Sequence, residues 1–398
     1  SCSVLDNVLS SLWEDCASRG LFRYDVTACP SRVIPGRWGF VAQLNEGRAS
    51  KKRPTEIVVD QVCQPFDPAK FHFGKAVPSE ALLQFESIVP SAATSLGCNS
   101  QDSFTPQARE PATLPLLFDS APVTPSSNLV LINVSPIEYG HVLLVPRTLQ
   151  HLPQQLKADL VLTALHFAHE AGNPHFNVGY NSLGAYATIN HLHFQAYFLG
   201  NSFPCQSASS QLLSIIGPGS SSSSAAIKVS TLIDYPVRGF VMEALAALPQ
   251  LAAVVGQATE ALQASNVPFN MLITDKGTRV FLWPQCYAER QAAKEVEEEL
   301  LATGVNPAVF EVAGHMVLKR AEDYQGMQED LATRLLSAVS LPADRFQAVA
   351  DLCFRQPWHQ PTQLPASCEE LHLLGLRRAK GDKLTAGSPL CKRQRGNE

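Results

Sequence analysis

The chain has 398 residues and a formal net charge of −5, so it is longer than one hydrophobic core usually serves, and bulk electrostatic attraction to nucleic acid is excluded. It is 45% hydrophobic and 17% charged, a globular balance, yet no apolar run reaches the roughly 18 residues that a membrane helix needs. Its 10 cysteines are scattered, which in so long a chain reads as reduced thiols of an intracellular protein rather than a disulfide framework.

Taken in order, Leu5 to Gly20 reads as an amphipathic helix, with Leu5, Leu9, Leu12 and Trp13 on one face and Gly20 as its stop. Residues 21–28 and Gly39 to Leu44 read as strands around a Pro35-Gly36 turn. A basic run follows, Arg48, Lys51, Lys52 and Arg53, which suits either a solvated loop or an anionic ligand. Residues 64–75 mix aromatics with prolines and read as an extended segment laid on a surface. Residues 90–125, rich in Ser, Pro, Thr and Ala, read as a disordered insertion.

Leu129 to Val134 and His141 to Val145 then form a hairpin closed by Pro146. A helix follows over Leu152 to Glu170, with Leu156, Leu160, Ala164 and Phe167 at helical spacing, and Phe176 to Tyr180 is the next strand. After a serine-rich linker near residues 217–224 comes a helix with Leu251, Val255, Ala258 and Leu262, and then strand, tight turn, strand, proline over Phe269 to Pro284 repeats the shape of the earlier hairpin and suggests a duplicated unit. Glu289 to Leu301 reads as a helix, Phe310 to Lys319 as a strand and Glu329 to Phe354 as helices, before a polar tail from about Trp358. The fold class is therefore α+β, with antiparallel sheets flanked by helices. The expected domains are an N-terminal half over 1–203, a C-terminal half over 226–356 and a disordered tail over 357–398. The sequence opens on Ser1 rather than Met and is read as a fragment.

The chemistry concentrates at Ala187 to Leu199. There His191, His193, Gln195 and Tyr197 alternate with Leu192, Phe194, Ala196 and Phe198. Period-two alternation makes this a half-buried strand and lines two imidazoles and an amide on one face. An imidazole can attack phosphorus, and an amide can donate to a phosphoryl oxygen. The same pattern also suits a plain strand, or one side of a zinc site, but no Cys-x-x-Cys pair or nearby carboxylate completes the latter.

Three stretches resemble the histidine-triad superfamily in its hexose-1-phosphate nucleotidylyltransferase branch: the hairpin of residues 131–147, the loop of residues 179–190, and His-Leu-His-Phe-Gln at 191–195. Further stretches at 20–29, 39–48, 51–56, 235–239 and 305–319 resemble the plant and algal GDP-L-galactose phosphorylase family. The resemblance implies duplicated histidine-triad-like halves, with the active site in the first and the motif absent from the second. It implies the reaction of GDP-L-galactose with inorganic phosphate to give L-galactose 1-phosphate and GDP, on the route to ascorbate. His193 would be the nucleophile, Gln195 would steady the phosphoryl group, and His191 would orient the strand and His193.

By the same resemblance Asn133 would hold ribose hydroxyls, and Asn181 and Thr188 phosphate oxygens, with Ser182 a further substrate contact. His141 is the hairpin His of a Gly-His pair. Arg48, Lys51, Lys52, Arg53 and Arg238 are candidates for pyrophosphate or inorganic phosphate, and Glu311, His315 and Lys319 for the hexose. No cofactor and no metal is expected, since the Cys pairs of the zinc found in related bacterial enzymes are missing. The expected partners are GDP-hexose and phosphate, with no nucleic acid and no membrane, and the chain is expected to form a homodimer in the cytoplasm and nucleus. Competing functions are a GDP-D-glucose phosphorylase, a nucleotide hydrolase and a non-enzymatic nucleotide sensor. Gln195 in place of a third His favours transfer over hydrolysis.

Overall fold

The computed structural model describes residues 3–51, 61–85, 123–217, 226–245 and 247–354. In chain order these form α1 (Val4–Ser18), β1 (Ser31–Val33), β2 (Val41–Leu44), α2 (Glu46–Lys51), β3 (Ala81–Phe85), β4 (Asn128–Ile132), β5 (Val142–Val145), α3 (Ala158–Ala171), β6 (Phe176–Asn181) and β7 (Phe194–Phe198). There follow β8 (Ser210–Ile216), β9 (Ile227–Leu232), β10 (Phe240–Ala244), α4 (Leu248–Ala264), β11 (Phe269–Thr274), β12 (Arg279–Pro284), α5 (Tyr287–Ala292), α6 (Glu298–Ala302), α7 (Val309–Ala313), β13 (His315–Leu318), α8 (Ala321–Gly326), α9 (Glu329–Val339) and α10 (Ala343–Phe354). The class is α+β, as expected. Among the described residues no helix is long and apolar enough to cross a membrane. The expected insertion at 90–125 and the tail fall almost wholly outside the described residues, as does most of the serine linker.

Ten strands make one sheet in the order β3-β4-β5-β7-β6-β11-β12-β10-β9-β8, and every pair in it is antiparallel. Read outward from its centre, each half has the same order: β6-β7-β5-β4-β3 on one side and β11-β12-β10-β9-β8 on the other. Each half also carries its helix, α3 or α4, between its third and fourth strands in the chain. This corrects the repeat read from sequence. The hairpin of residues 269–284 corresponds in topology to β6–β7, not to the hairpin of residues 131–147.

The register aligns the two halves across the centre. Gly179 faces Leu272 across the centre; Gly179 also pairs with Gln195, and Leu272 with Phe281. Asn181 likewise faces Asn270, which pairs with Trp283. Phe281 therefore lies in one row across the sheet with Gln195, and both Phe281 and Trp283 are fully buried in the core.

Several expected elements differ. Residues 21–28 form no strand, because Asp25 Oδ1 accepts from Thr27 N–H at 2.9 Å and from Thr27 Oγ1 at 2.6 Å, a side-chain turn that competes with a ladder. The basic run begins in a short helix, α2, rather than a loop. The helix expected from Leu152 begins only at α3, since Pro153 interrupts it and residues 154–156 bond elsewhere. Phe310 to Lys319 divides into α7 and β13 at Gly314, which adopts a φ of 111°. The helix expected over Glu289 to Leu301 is two short ones, α5 and α6, with Lys294 at φ 59° between them.

A second, three-stranded sheet, β1-β2-β13, pairs β2 with β13 in parallel, Val41 opposite His315 and Leu44 opposite Leu318. A core containing Phe40, Phe281, Trp283, Phe310, Met316 and Leu335 joins it to the large sheet. On the other side α3 packs against α4. The contact is close: a Cβ built on Gly256 in α4 would lie 2.6 Å from Ala158 Cα and 2.8 Å from Ala158 N. In an exposed helix Gly→Ala gains about 1 kcal/mol. Here the added methyl meets backbone, and overpacking of this kind costs about 1–3 kcal/mol. Gly256→Ala is therefore expected to lower the urea unfolding midpoint, and a raised midpoint would refute this packing.

Candidate active site

The site lies at one end of the first half-sheet. Strand β7 starts only at Phe194, so His193 is the residue just before it. It is held by an inserted side chain. Gln154, buried, accepts from His193 N–H through Oε1 at 2.9 Å, and its Nε2 donates to Asn181 O at 2.9 Å and His193 O at 3.2 Å. One amide thus bridges the ends of β6 and β7 as a peptide group would. Tyr180 Oη–H in turn donates to Gln154 O at 2.9 Å.

The ring of His193 is fixed as well. Its Nδ1 lies 2.8 Å from His191 O, an atom that can only accept, so the proton sits on Nδ1 and the lone pair on Nε2. Burial pushes its pKa down to about 4, with the His191 carbonyl opposing more weakly. Near neutral pH the group is therefore a neutral imidazole with a bare Nε2, and it lines an open cleft.

Gln195 lines the same cleft. Behind it, His141 is fully buried, and its Nδ1 accepts from Ile137 N–H at 2.8 Å, which leaves the proton on Nε2. Burial drives its pKa well down, the Arg48 charge adds to this, and a hydrogen bond with Gln195 opposes it. The same Nε2 lies 3.2 Å from Asn133 Nδ2, so the buried ring meets both Asn133 and Gln195. Asn181 is held through its oxygen. Its Oδ1 accepts from Asn270 Nδ2 at 2.7 Å and Val309 N–H at 2.8 Å, so neither bond uses its own NH2.

The cationic wall comes from far apart in sequence. Asn45 Oδ1 accepts from Arg48 N–H at 3.1 Å, and Arg48 Nη1 donates to Ser135 O at 2.6 Å. The parallel pairing of β13 with β2 carries Lys319 beside it. Burial lowers the Lys319 pKa, Arg48 lowers it further and Glu311 raises it. Arg23, Arg48 and Lys319 face the cleft with Glu80 and Glu311, a site with an excess of positive charge that suits a pyrophosphate. Aromatic and aliphatic side chains, Phe71, Phe73, Leu131, Leu143 and Ile189, line the rest.

The family models described as GDPGP1-like, N-terminal domain and GDPGP1-like, C-terminal domain match residues 4–197 and 211–357. The chain belongs to the GDPGP1-like family. It is 51% identical over 352 residues to GDP-L-galactose phosphorylase 2 of Arabidopsis thaliana, covering 88% of this chain and 76% of that protein. It is 30% identical over 363 residues to GDP-D-glucose phosphorylase 1 of Homo sapiens, covering 87% and 82%. Among solved structures, yeast Ap4A phosphorylase Apa2 in complex with Ap4A shares the fold, with a TM-score of 0.51 at 14% identity over 85% of this chain and 98% of that one.

Within this GDPGP1-like chain the expected site residues divide into two groups. His193, Gln195, Asn133, Asn181, Thr188, Arg48, Glu311 and Lys319 come together on the cleft. The others do not line it. His191 is buried behind it, where Phe73 N–H donates to its Nδ1 at 3.0 Å and its ring packs on Phe66, His72 and His151. His141 acts through Gln195. Ser182 is used by the backbone, its Oγ accepting from Phe269 N–H at 2.9 Å and donating to Leu183 O at 3.0 Å. His315 is buried against Tyr197 Oη, 2.9 Å from its Nδ1. Arg238 braces the segment between α9 and α10, its Nη1 donating to Leu341 O at 3.0 Å. Lys52 and Arg53 lie outside the described residues, and so does the side chain of Lys51.

Sequence reasoning missed Gln154, hidden in an apparent helix. It also missed Arg23, Phe71, Phe73, Tyr186, Asn306 and Phe310 as cleft residues. The aromatic density of 64–75 was the available signal for Phe71 and Phe73.

The histidines set a pH dependence. Burial holds His191 at about 3 and His193 and His315 at about 4, all below the ordinary 6.5. As pH falls from 6.5 toward 4 the unfolded chain binds protons that the folded one refuses, so stability drops across that window. The expected result is a denaturation midpoint lower at pH 5 than at pH 7, with the His193 ring still neutral and protonated on Nδ1 by nitrogen-15 NMR at pH 5. A His193 titration centred near 6.5 would contradict the burial argument.

Proposed function

We propose that the chain is a GDP-L-galactose phosphorylase working through a guanylylated His193. The carrying observation is the neutral, buried His193, its Nδ1 proton anchored on His191 O and its Nε2 lone pair facing the cleft. In the first step Nε2 attacks the phosphorus that bears guanosine. The bond from that phosphorus to the hexose phosphate oxygen breaks, and L-galactose 1-phosphate leaves. The guanylylated ring becomes cationic, and the His191 carbonyl supports that charge through Nδ1–H. In the second step an oxygen of inorganic phosphate attacks the same phosphorus, the P–N bond breaks, and GDP leaves with His193 neutral again. Two in-line displacements replace one direct meeting of anions.

Gln195 donates to the phosphoryl oxygen through its NH2, and Asn181 and Thr188 assist it. Asn133, whose Oδ1 is turned to Ser135 N–H at 3.0 Å, stands by the ribose. Arg48 and Lys319 balance the phosphates, and Glu311 reaches toward the hexose. An amide cannot shuttle a proton, which suits a sugar phosphate that leaves without one. The choice of hexose is supported by similarity: 51% and 49% identity to the two Arabidopsis GDP-L-galactose phosphorylases against 30% to the human GDP-D-glucose enzyme.

The test is a phosphorolysis panel over GDP-L-galactose, GDP-D-glucose and GDP-D-mannose. GDP-L-galactose is expected to give the highest kcat/KM, and release of GMP without added phosphate would instead indicate a hydrolase. His193→Ala should lower kcat by about a thousandfold or more while GDP still binds, and guanosine label should no longer become attached to the protein. Half the wild-type rate would remove His193 from the mechanism.

Gln195→His should slow phosphorolysis and raise the share of GMP over GDP, because an imidazole offers water a proton acceptor that an amide does not. An unchanged product ratio at an unchanged rate would show that the amide's identity does not matter.

A further inference from the structure

With phosphorus at His193 Nε2 and the phosphates against Arg48 and Lys319, the base is left the apolar side of the cleft. Phe71, Phe73, Leu131, Leu143 and Ile189 pack there as one cluster. The rings of Phe73 and His193 lie 5.0 Å apart, so this cluster adjoins the reacting group directly. Apolar walls of this kind suit the faces of a purine but do not tell one purine from another.

Two acidic residues line the cleft, Glu80 and Glu311, and Glu80 is the one that adjoins this cluster in the chain. It closes the single 3-10 turn Pro78–Glu80, where its N–H donates to Val77 O at 2.8 Å. The next residue, Ala81, pairs with Leu131 across β3 and β4 and packs on the apolar cluster. Glu80 is half-buried and is held by the backbone at the rim of the slot.

A carboxylate offers two acceptors and no donor. Guanine presents two adjacent donors, N1–H and the N2 amine, on one edge. Adenine sets an N1 lone pair against such a group, and hypoxanthine keeps N1–H but lacks the amine. We propose that Glu80 selects guanine by accepting from N1–H with one oxygen and from the N2 amine with the other. This deepens the reading of the site as a GDP-hexose phosphorylase and rests on its guanosine substrate.

The experiment compares GDP, IDP and ADP binding to the full chain by calorimetry, for wild type, Glu80→Gln and Glu80→Ala, alongside phosphorolysis of GDP-hexose and IDP-hexose. Wild type should bind GDP about tenfold or more tightly than IDP, the worth of one hydrogen bond to a charged group, and ADP more weakly still. Glu80→Gln keeps one acceptor and turns an NH2 on the base, so its GDP-to-IDP preference should fall to within about twofold, with the loss in KM rather than kcat.

Equal binding of GDP and IDP by wild type overturns the proposal without recourse to any variant. So does a full preference retained by both variants. If the preference depends on Glu80 but no GDP-hexose is phosphorolysed, base selection stands and the phosphorylase reading fails.

Discussion

The hydrogen bond from His193 Nδ1 to the carbonyl of His191 is the constraint on which the chemistry of the cleft depends. It decides which nitrogen carries the proton, and so which one can form a bond to phosphorus. Burial removes the competing charged form, which at an ordinary pKa would tie up part of the lone pair near neutral pH. The bond is only as exact as the backbone around it. Gln154 supplies that exactness, closing with one side chain the gap between the ends of β6 and β7 that a continued ladder would have closed with peptides.

The cleft also depends on the two halves of the sheet meeting at β6 and β11. Gly179 in β6 leaves room for α7: a Cβ there would lie 2.7 Å from Val309 Cγ1. That close approach lets Val309 N–H bond to Asn181 and puts Phe310 and Glu311 on the cleft opposite His193. The C-terminal half thus supplies a wall, while its own strand β12 buries Phe281 and Trp283 in the core. The strand order repeats, but His-x-His-x-Gln occurs in the first half alone.

Behind the cleft a second layer of polar groups holds the first. His141 bonds to Gln195 and Asn270 turns Asn181. Neither of these outer residues lines the cleft, yet each holds a residue that does. Buried polar groups in so apolar a setting are costly unless paired, and the pairings found here also set orientation.

Much was legible in the sequence. Alternation from His191 to Phe198 placed His193 and Gln195 on one face, because a strand has a strict period of two, and the family resemblance of the hairpin of residues 131–147 placed Asn133 near them. The α+β class followed from strands interrupted by single helices. What the sequence could not carry was anything that depends on pairing at long range. The parallel register of β2 with β13 sets Lys319 beside Arg48, 271 positions away in the sequence. Gln154 looked like one more helical residue until Pro153 and its bonds to β6 and β7 took it out of the helix. His191, His141, Ser182, His315 and Arg238 carry the right chemistry for a site, but only the packing decided that they face inward or away. The local pattern determined which residue types share a strand face; the tertiary structure decided which of them meet a ligand, because that depends on what covers each face.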